Sequence, residues 1–162
     1  MIGAAHAAGY RTYAPRFDGL SARLDTVCDA NAELAARLAR DWGFPRTVGD
    51  WRAVIDDPEI GIVSVCLSNF LHTEVTRAAL KAGKHVLCEK PLALSAPEAR
   101  GTFELARTAP GKSGTVFNYR RTPAIADIRA RVQAGELGEP IQIVPAHQLD
   151  CLFKICFGKI TI

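Results

Sequence analysis

The sequence predicts an α/β fold, a doubly wound and mostly parallel sheet with helices on both faces. Three observations predict it. Short apolar runs alternate with stretches of helical periodicity along most of the chain. The runs are continuously apolar and rich in β-branched residues, as strands covered on both faces are. Each is separated from the next by a helix-length segment, which fits parallel crossovers and not hairpins.

Leu24-Asp25-Thr26-Val27-Cys28 reads as the first strand in the chain, and Ala35, Leu38, Ala39 and Trp42 then recur at helical spacing. Asn31 suits the start of that helix, because its side chain satisfies an orphan amide, and Gly43 suits its end, because glycine tolerates the left-handed conformation. A short helix near Asp50 to Asp56 leads to the run Gly61-Ile62-Val63-Ser64-Val65-Cys66-Leu67. The next helix has Val75, Ala78, Ala79 and Ala82 on its inner face and stops at Gly83. His85-Val86-Leu87-Cys88 follows as a strand. Ser95 and Glu98 then form a capping box that opens a helix running to about Thr108. Gly114-Thr115-Val116-Phe117 is a further strand. After Pro123 a helix with Ile125, Ile128 and Val132 on one face reaches Gly135, and Ile141-Gln142-Ile143-Val144 looks like the first strand of something new. The expected division is thus residues 1–122 as the α/β domain, 123–150 as a linker helix and the start of an α+β domain, and 151–162 as an apolar tail of different character.

Bulk properties exclude several classes. The chain has 162 residues, 48% apolar and 23% charged, which suits one globular core better than disorder. Its formal charge of +3 comes from 20 basic and 17 acidic residues without a polybasic run, so no nucleic-acid partner is expected. No stretch approaches the roughly 20 apolar residues that span a bilayer, and the N-terminus lacks a basic region followed by an apolar core. No membrane association is expected, and the chain reads as cytoplasmic. Five cysteines occur with no CxxC pair and no matching histidine set, so neither disulfides nor a metal is expected. Cys28, Cys66 and Cys88 read as small buried hydrophobes, with a reactive thiol as the alternative.

In a doubly wound sheet the ligand lies beyond the carboxyl ends of the strands, so the residues after each apolar run are the candidates. They are polar: Asp29, Ser68-Asn69, Glu89-Lys90-Pro91 and Asn118-Tyr119-Arg120-Arg121. Together with Gly3-Ala4-Ala5-His6-Ala7, Ser68-Asn69-Phe70-Leu71-His72 and the segment Gly83-Lys84-His85-Val86-Leu87-Cys88-Glu89-Lys90-Pro91-Leu92, they make residues 3–144 resemble the Gfo/Idh/MocA oxidoreductases. A lone Glu-Lys-Pro is weak; the longer segment, in a strand context and in this order with the other motifs, is specific.

The resemblance implies a Rossmann-type domain, NAD as cofactor in preference to NADP, and hydride transfer to or from a hydroxyl carbon of a sugar or polyol. It also implies a homo-oligomer for the parent family. It places Gly3, His6, Asp29, Ser68, Asn69, His72, Glu89, Lys90, Pro91, Asn118 and Arg120 around the cofactor. Asp29 would accept the adenosine ribose hydroxyls and repel a 2′-phosphate, though an Asp there also suits capping of the next helix. Lys90 is the implied catalytic group, an ammonium that stabilises a developing alkoxide and relays its proton. His72 and Asn118 would align the substrate, Glu89 would lie near the nicotinamide ribose, and Pro91 would fix the turn, with a cis bond as one way of doing so. A plain surface Glu-Lys pair before a turn proline, and a His that merely starts a helix, are the alternatives for those positions.

The sequence departs from the family pattern in two places. Of the GxGxxG loop only Gly3 is present, matching the third glycine, which lets helix pack closely on sheet, and the first strand is not in the chain. The family's acid/base His of an Asp-x-x-x-His motif has no counterpart, and His147 does not match it. The expectation is a sheet with its first strand missing and a second domain cut short. A catalytically inactive fragment with weak or no nucleotide binding stands as the alternative function. A phosphate-binding or response-regulator-like module lacks its acidic cluster, and a hydrolase lacks a GxSxG elbow.

Overall fold

The computed structural model describes residues 2–13, 22–145 and 153–157. The chain divides into two compact units, Met1–Val116 and Phe117–Ile162. The expected boundary after residue 122 therefore falls inside the second unit.

In the first unit the order is α1 (Ile2–Tyr13), β1 (Thr26–Cys28), α2 (Ala32–Trp42), β2 (Arg46–Val48), α3 (Trp51–Asp56), β3 (Ile62–Val65), α4 (Asn69–Lys81), β4 (His85–Glu89), α5 (Ala96–Thr108) and β5 (Ser113–Val116). All strand pairs here are parallel, in two sheets, β1-β2 and β3-β4-β5, in agreement with the expected α/β fold with its first strand missing. The three-residue β2, two of whose residues are exposed, has no apolar run to announce it and was not anticipated.

Local chemistry sets the helix ends. The Asn31 side chain accepts the Leu34 amide at 3.0 Å, and Gly43, at φ 73°, ends α2 with its N–H on the Ala39 carbonyl. Asp50 accepts the Arg52 amide at the start of α3. Ser95 accepts the Glu98 amide, while the Glu98 carboxylate reaches back to the Leu94 amide, a capping box displaced by one residue.

The core sits around β3-β4-β5, where Val63, Val65, Val86 and Cys88 pack with Val75, Ala79 and Leu80 of α4 and with Ile55 and Ile60. A smaller cluster of Val27, Ala35 and Ala39 lies on β1 and α2. Polar links join the two regions. Arg46, which opens β2, pairs with both Asp25, just before β1, and Asp57, the C-cap of α3. Helix α1 sends Tyr10 to the Ser64 hydroxyl in β3 at 2.8 Å and Arg11 to the Trp42 carbonyl of α2.

In the second unit a 3-10 turn (Asn118–Arg121) precedes α6 (Pro123–Gln133), and β6 (Pro140–Pro145) pairs antiparallel with β7 (Phe153–Phe157). Part of the apolar tail is therefore strand, paired with the strand expected to open a new domain.

Candidate active site

Within each sheet the strands run parallel, so their carboxyl ends lie on one side of that sheet. The residues after β3 and β4 thus share one edge of the larger sheet, and Asp29 stands at the carboxyl end of the smaller one. Asp29 stands directly after β1. Its amide donates to the Val48 carbonyl at 3.2 Å, which ties it to the end of β2. One carboxylate oxygen, Oδ1, accepts the Asn31 amide at 2.8 Å, and Oδ2 has no partner among the described residues. The capping reading and the ribose reading of this side chain are compatible, since one oxygen serves each.

Ser68 and Asn69 begin α4 with exposed side chains, and the Ser68 hydroxyl makes no capping bond. The Glu89-Lys90-Pro91 turn follows β4. Glu89 is buried, its Oε2 accepting the Lys90 amide at 3.2 Å and its Oε1 lying 3.1 Å from His6 Nε2, and the Lys90–Pro91 bond is cis. Lys90 is exposed, and its ammonium has no ion-pair partner among the described residues. The surface Glu-Lys pair considered for these positions does not form, because Glu89 turns inward to His6.

Two placements differ from expectation. His72 is 1% exposed, with Nδ1 at 2.7 Å from the Pro91 carbonyl oxygen and Nε2 at 2.9 Å from that of Leu67. A ring so enclosed has no free nitrogen to align a substrate. Gly3 is not sterically required, since a Cβ there would meet only Leu38 of α2 at an ordinary 3.8 Å. His6, one turn further along α1, takes Glu89 as its hydrogen-bond partner. Asn118 and Arg120 lie on the 3-10 turn of the second unit, where Asn118 Oδ1 accepts the Tyr119 amide at 2.9 Å.

Sequence reading missed Thr73, whose hydroxyl donates to the Leu92 carbonyl at 3.4 Å and adds a second tie between α4 and the turn. It also missed the His6–Glu89 pair, whose members stand 83 residues apart. No local pattern signals either one.

Burial sets the cysteine chemistry. It pushes the Cys66 thiol up to about 12, with the Glu89 and Cys88 charges adding to the effect, and the Cys28 thiol up to about 11, with Asp50 and Asp29 contributing. Cys88 is raised by burial as well. All three stay protonated at neutral pH, so none is an activated nucleophile.

These residues fit a dinucleotide. A free carboxylate oxygen suits vicinal ribose hydroxyls, exposed Ser68 and Asn69 offer donors and acceptors, and an unpaired ammonium stands at the end of β4. Comparison with known proteins agrees. Residues 1–117 match the family model described as an oxidoreductase family with an NAD-binding Rossmann fold. Levoglucosan dehydrogenase of Pseudarthrobacter phenanthrenivorans is 42% identical over 112 residues, 69% of this chain and 29% of that protein. Inositol 2-dehydrogenase of Pseudomonas syringae pv. syringae is 35% identical over 125 residues, 75% of this chain and 37% of that one. A solved levoglucosan dehydrogenase in complex with NADH and levoglucosan superposes with a TM-score of 0.80 at 36% identity, over 88% of this chain and 39% of its own. The chain spans roughly a third of the length of these relatives. With the parallel-strand architecture, the polar carboxyl edge and the Glu89-Lys90-Pro91 turn all in agreement with that match, the chain belongs to the Gfo/Idh/MocA family of oxidoreductases, whose NAD-binding Rossmann domain it carries.

Proposed function

We propose that the chain is the nucleotide-binding part of an oxidoreductase that moves hydride between NAD(H) and a hydroxyl carbon of a sugar or polyol. The observation that carries this reading is the exposed, unpaired Lys90 on a turn held by buried Glu89, together with the half-free Asp29 carboxylate after β1. The nicotinamide, when bound, takes or gives the hydride. Asp29 binds the adenosine ribose through its free oxygen and rejects a 2′-phosphate by like charge, which favours NAD over NADP. Ser68 and Asn69 hold the cofactor along the edge between β1 and β4. In reduction the Lys90 ammonium stabilises the alkoxide left by hydride addition and donates a proton to it; in oxidation the neutral amine of the same side chain accepts the hydroxyl proton as hydride leaves.

Asn118 and Arg120 complete the cofactor and substrate contacts in this reading; their support is the family motif Asn118-Tyr119-Arg120-Arg121 and not a measured contact. The partner is a small molecule: charge is dispersed, with no basic track for a nucleic acid, and no helix among the described residues is long and apolar enough to cross a membrane. The free thiols of Cys28, Cys66 and Cys88 favour a reducing, cytoplasmic setting, and by family likeness the whole protein is a homo-oligomer.

Fluorescence titration with NADH tests the reading. Saturable binding is expected, weakened about tenfold or more in Asp29→Ala, a loss of at least about 1.4 kcal/mol. A flat titration removes the dinucleotide assignment. Where turnover with a polyol panel is measurable, Lys90→Ala should abolish it, and full activity in that variant removes the chemistry assigned to Lys90.

A further inference from the structure

We infer that His72 is held with a proton on each ring nitrogen and acts as the positioning residue for Lys90, not as a group that meets substrate. The ring is 1% exposed, and both nitrogens face backbone carbonyl oxygens, Pro91 at 2.7 Å from Nδ1 and Leu67 at 2.9 Å from Nε2. A carbonyl oxygen only accepts, and a neutral imidazole has a single N–H to give. A singly protonated ring would set a nitrogen lone pair against an oxygen lone pair at one of the two contacts and leave that buried carbonyl without its donor. The doubly protonated ring satisfies both and makes each bond charge-assisted.

The two carbonyls belong to different strand ends. Leu67 is two residues past β3, beside Ser68 and Asn69, and Pro91 is two residues past β4, next to Lys90. The ring therefore fixes the spacing between the two loops that flank the proposed nicotinamide end. Thr73 ties Leu92 to the same helix, and on the other flank His6 holds Glu89 Oε1 while Oε2 holds the Lys90 amide. Residues 89–92 are thus braced from α1 and from α4, and the Lys90 side chain is the free part of a fixed backbone.

The consequence at Lys90 rests on the proposed function; the proton count does not. Long-range proton–nitrogen correlation spectra of the full, 15N-labelled chain at neutral pH read the protonation of its four histidines directly. The expected result is one histidine, assigned as His72 by its loss in His72→Gln, with both nitrogens protonated and slow to exchange. A neutral single-tautomer pattern for His72 overturns the inference even if NADH binds, whereas the imidazolium pattern with no NADH binding upholds it and overturns the dinucleotide reading. Since the spectrum is taken on the unsubstituted protein, a misfolded variant does not rescue the idea; assignment then passes to His6→Asn, His85→Asn and His147→Asn by elimination. For the link to Lys90, NADH affinity should fall roughly tenfold in His72→Gln and fall no further when that change is added to Lys90→Ala. Additive losses in the double variant overturn the positioning role.

Discussion

Gly111 is buried where the turn after α5 passes the turn before β4, and a Cβ there would lie 2.0 Å from the Lys84 carbonyl oxygen. That atom is backbone and cannot swing aside, so Gly111→Ala should cost about 1–3 kcal/mol in urea unfolding. Lys84 itself is buried and donates its ammonium to the Asp57 carbonyl at 2.6 Å, a structural use of a charge that its sequence position suggests nothing about. The cysteines give a pH prediction. Cys66 titrates near an ordinary 9.0 when unfolded and about 12 when folded, so its protonated form is favoured by the fold. The stability this represents is complete below pH 9 and disappears as pH rises toward 12. Unfolding midpoints at pH 8 and at about pH 10.5 should therefore differ less in Cys66→Ala than in the unsubstituted chain. An unchanged difference would show that the alkaline loss arises elsewhere.

At the scale of elements, capping carries more of the organisation than propensity does. Helix α2 offers only Ala35 and Ala39 as buried residues, so its ends matter, and Asn31→Ala should lower stability by about 1 kcal/mol in thermal or urea unfolding. The residues that set the ends of α2 and the start of α5 were legible: Asn31, Gly43, Ser95 and Glu98 all have the capping or terminating roles their chemistry suggests. Strand β2 was not legible, because Arg46-Thr47-Val48 earns its place by pairing with β1 and by the Arg46 ion pairs, not by burying an apolar run. Helix α4 shows both cases at once. Val75 and Ala79 have the expected apolar spacing, while His72 on the same buried face is polar and is accommodated only because two carbonyls from other segments meet its ring.

Across the first unit, the Arg46 cluster joins what the sheet topology leaves apart. Its guanidinium holds Asp25 well below the ordinary carboxylate value, and helps the Glu59 amide hold Asp57 there too. Depressed carboxylates contribute stability that is present above the ordinary 3.8 and is lost as pH falls through their lower folded values. Acid unfolding should accordingly lose part of its steepness below pH 3.8 in Arg46→Ala, followed by circular dichroism, and an identical acid limb would deny the cluster that role. The sequence by itself determined the α/β class, most of the elements, the order of the polar strand ends and, through the Glu89-Lys90-Pro91 segment, the family, because apolar period, caps and turn residues are local properties of the chain. Tertiary structure alone decided that Glu89 turns in to His6 and leaves Lys90 free, and that both His72 ring nitrogens face backbone carbonyls. Those outcomes depend on which donors and acceptors distant segments bring to the same point, and a carbonyl oxygen supplied by folding leaves no mark in the residues around a histidine.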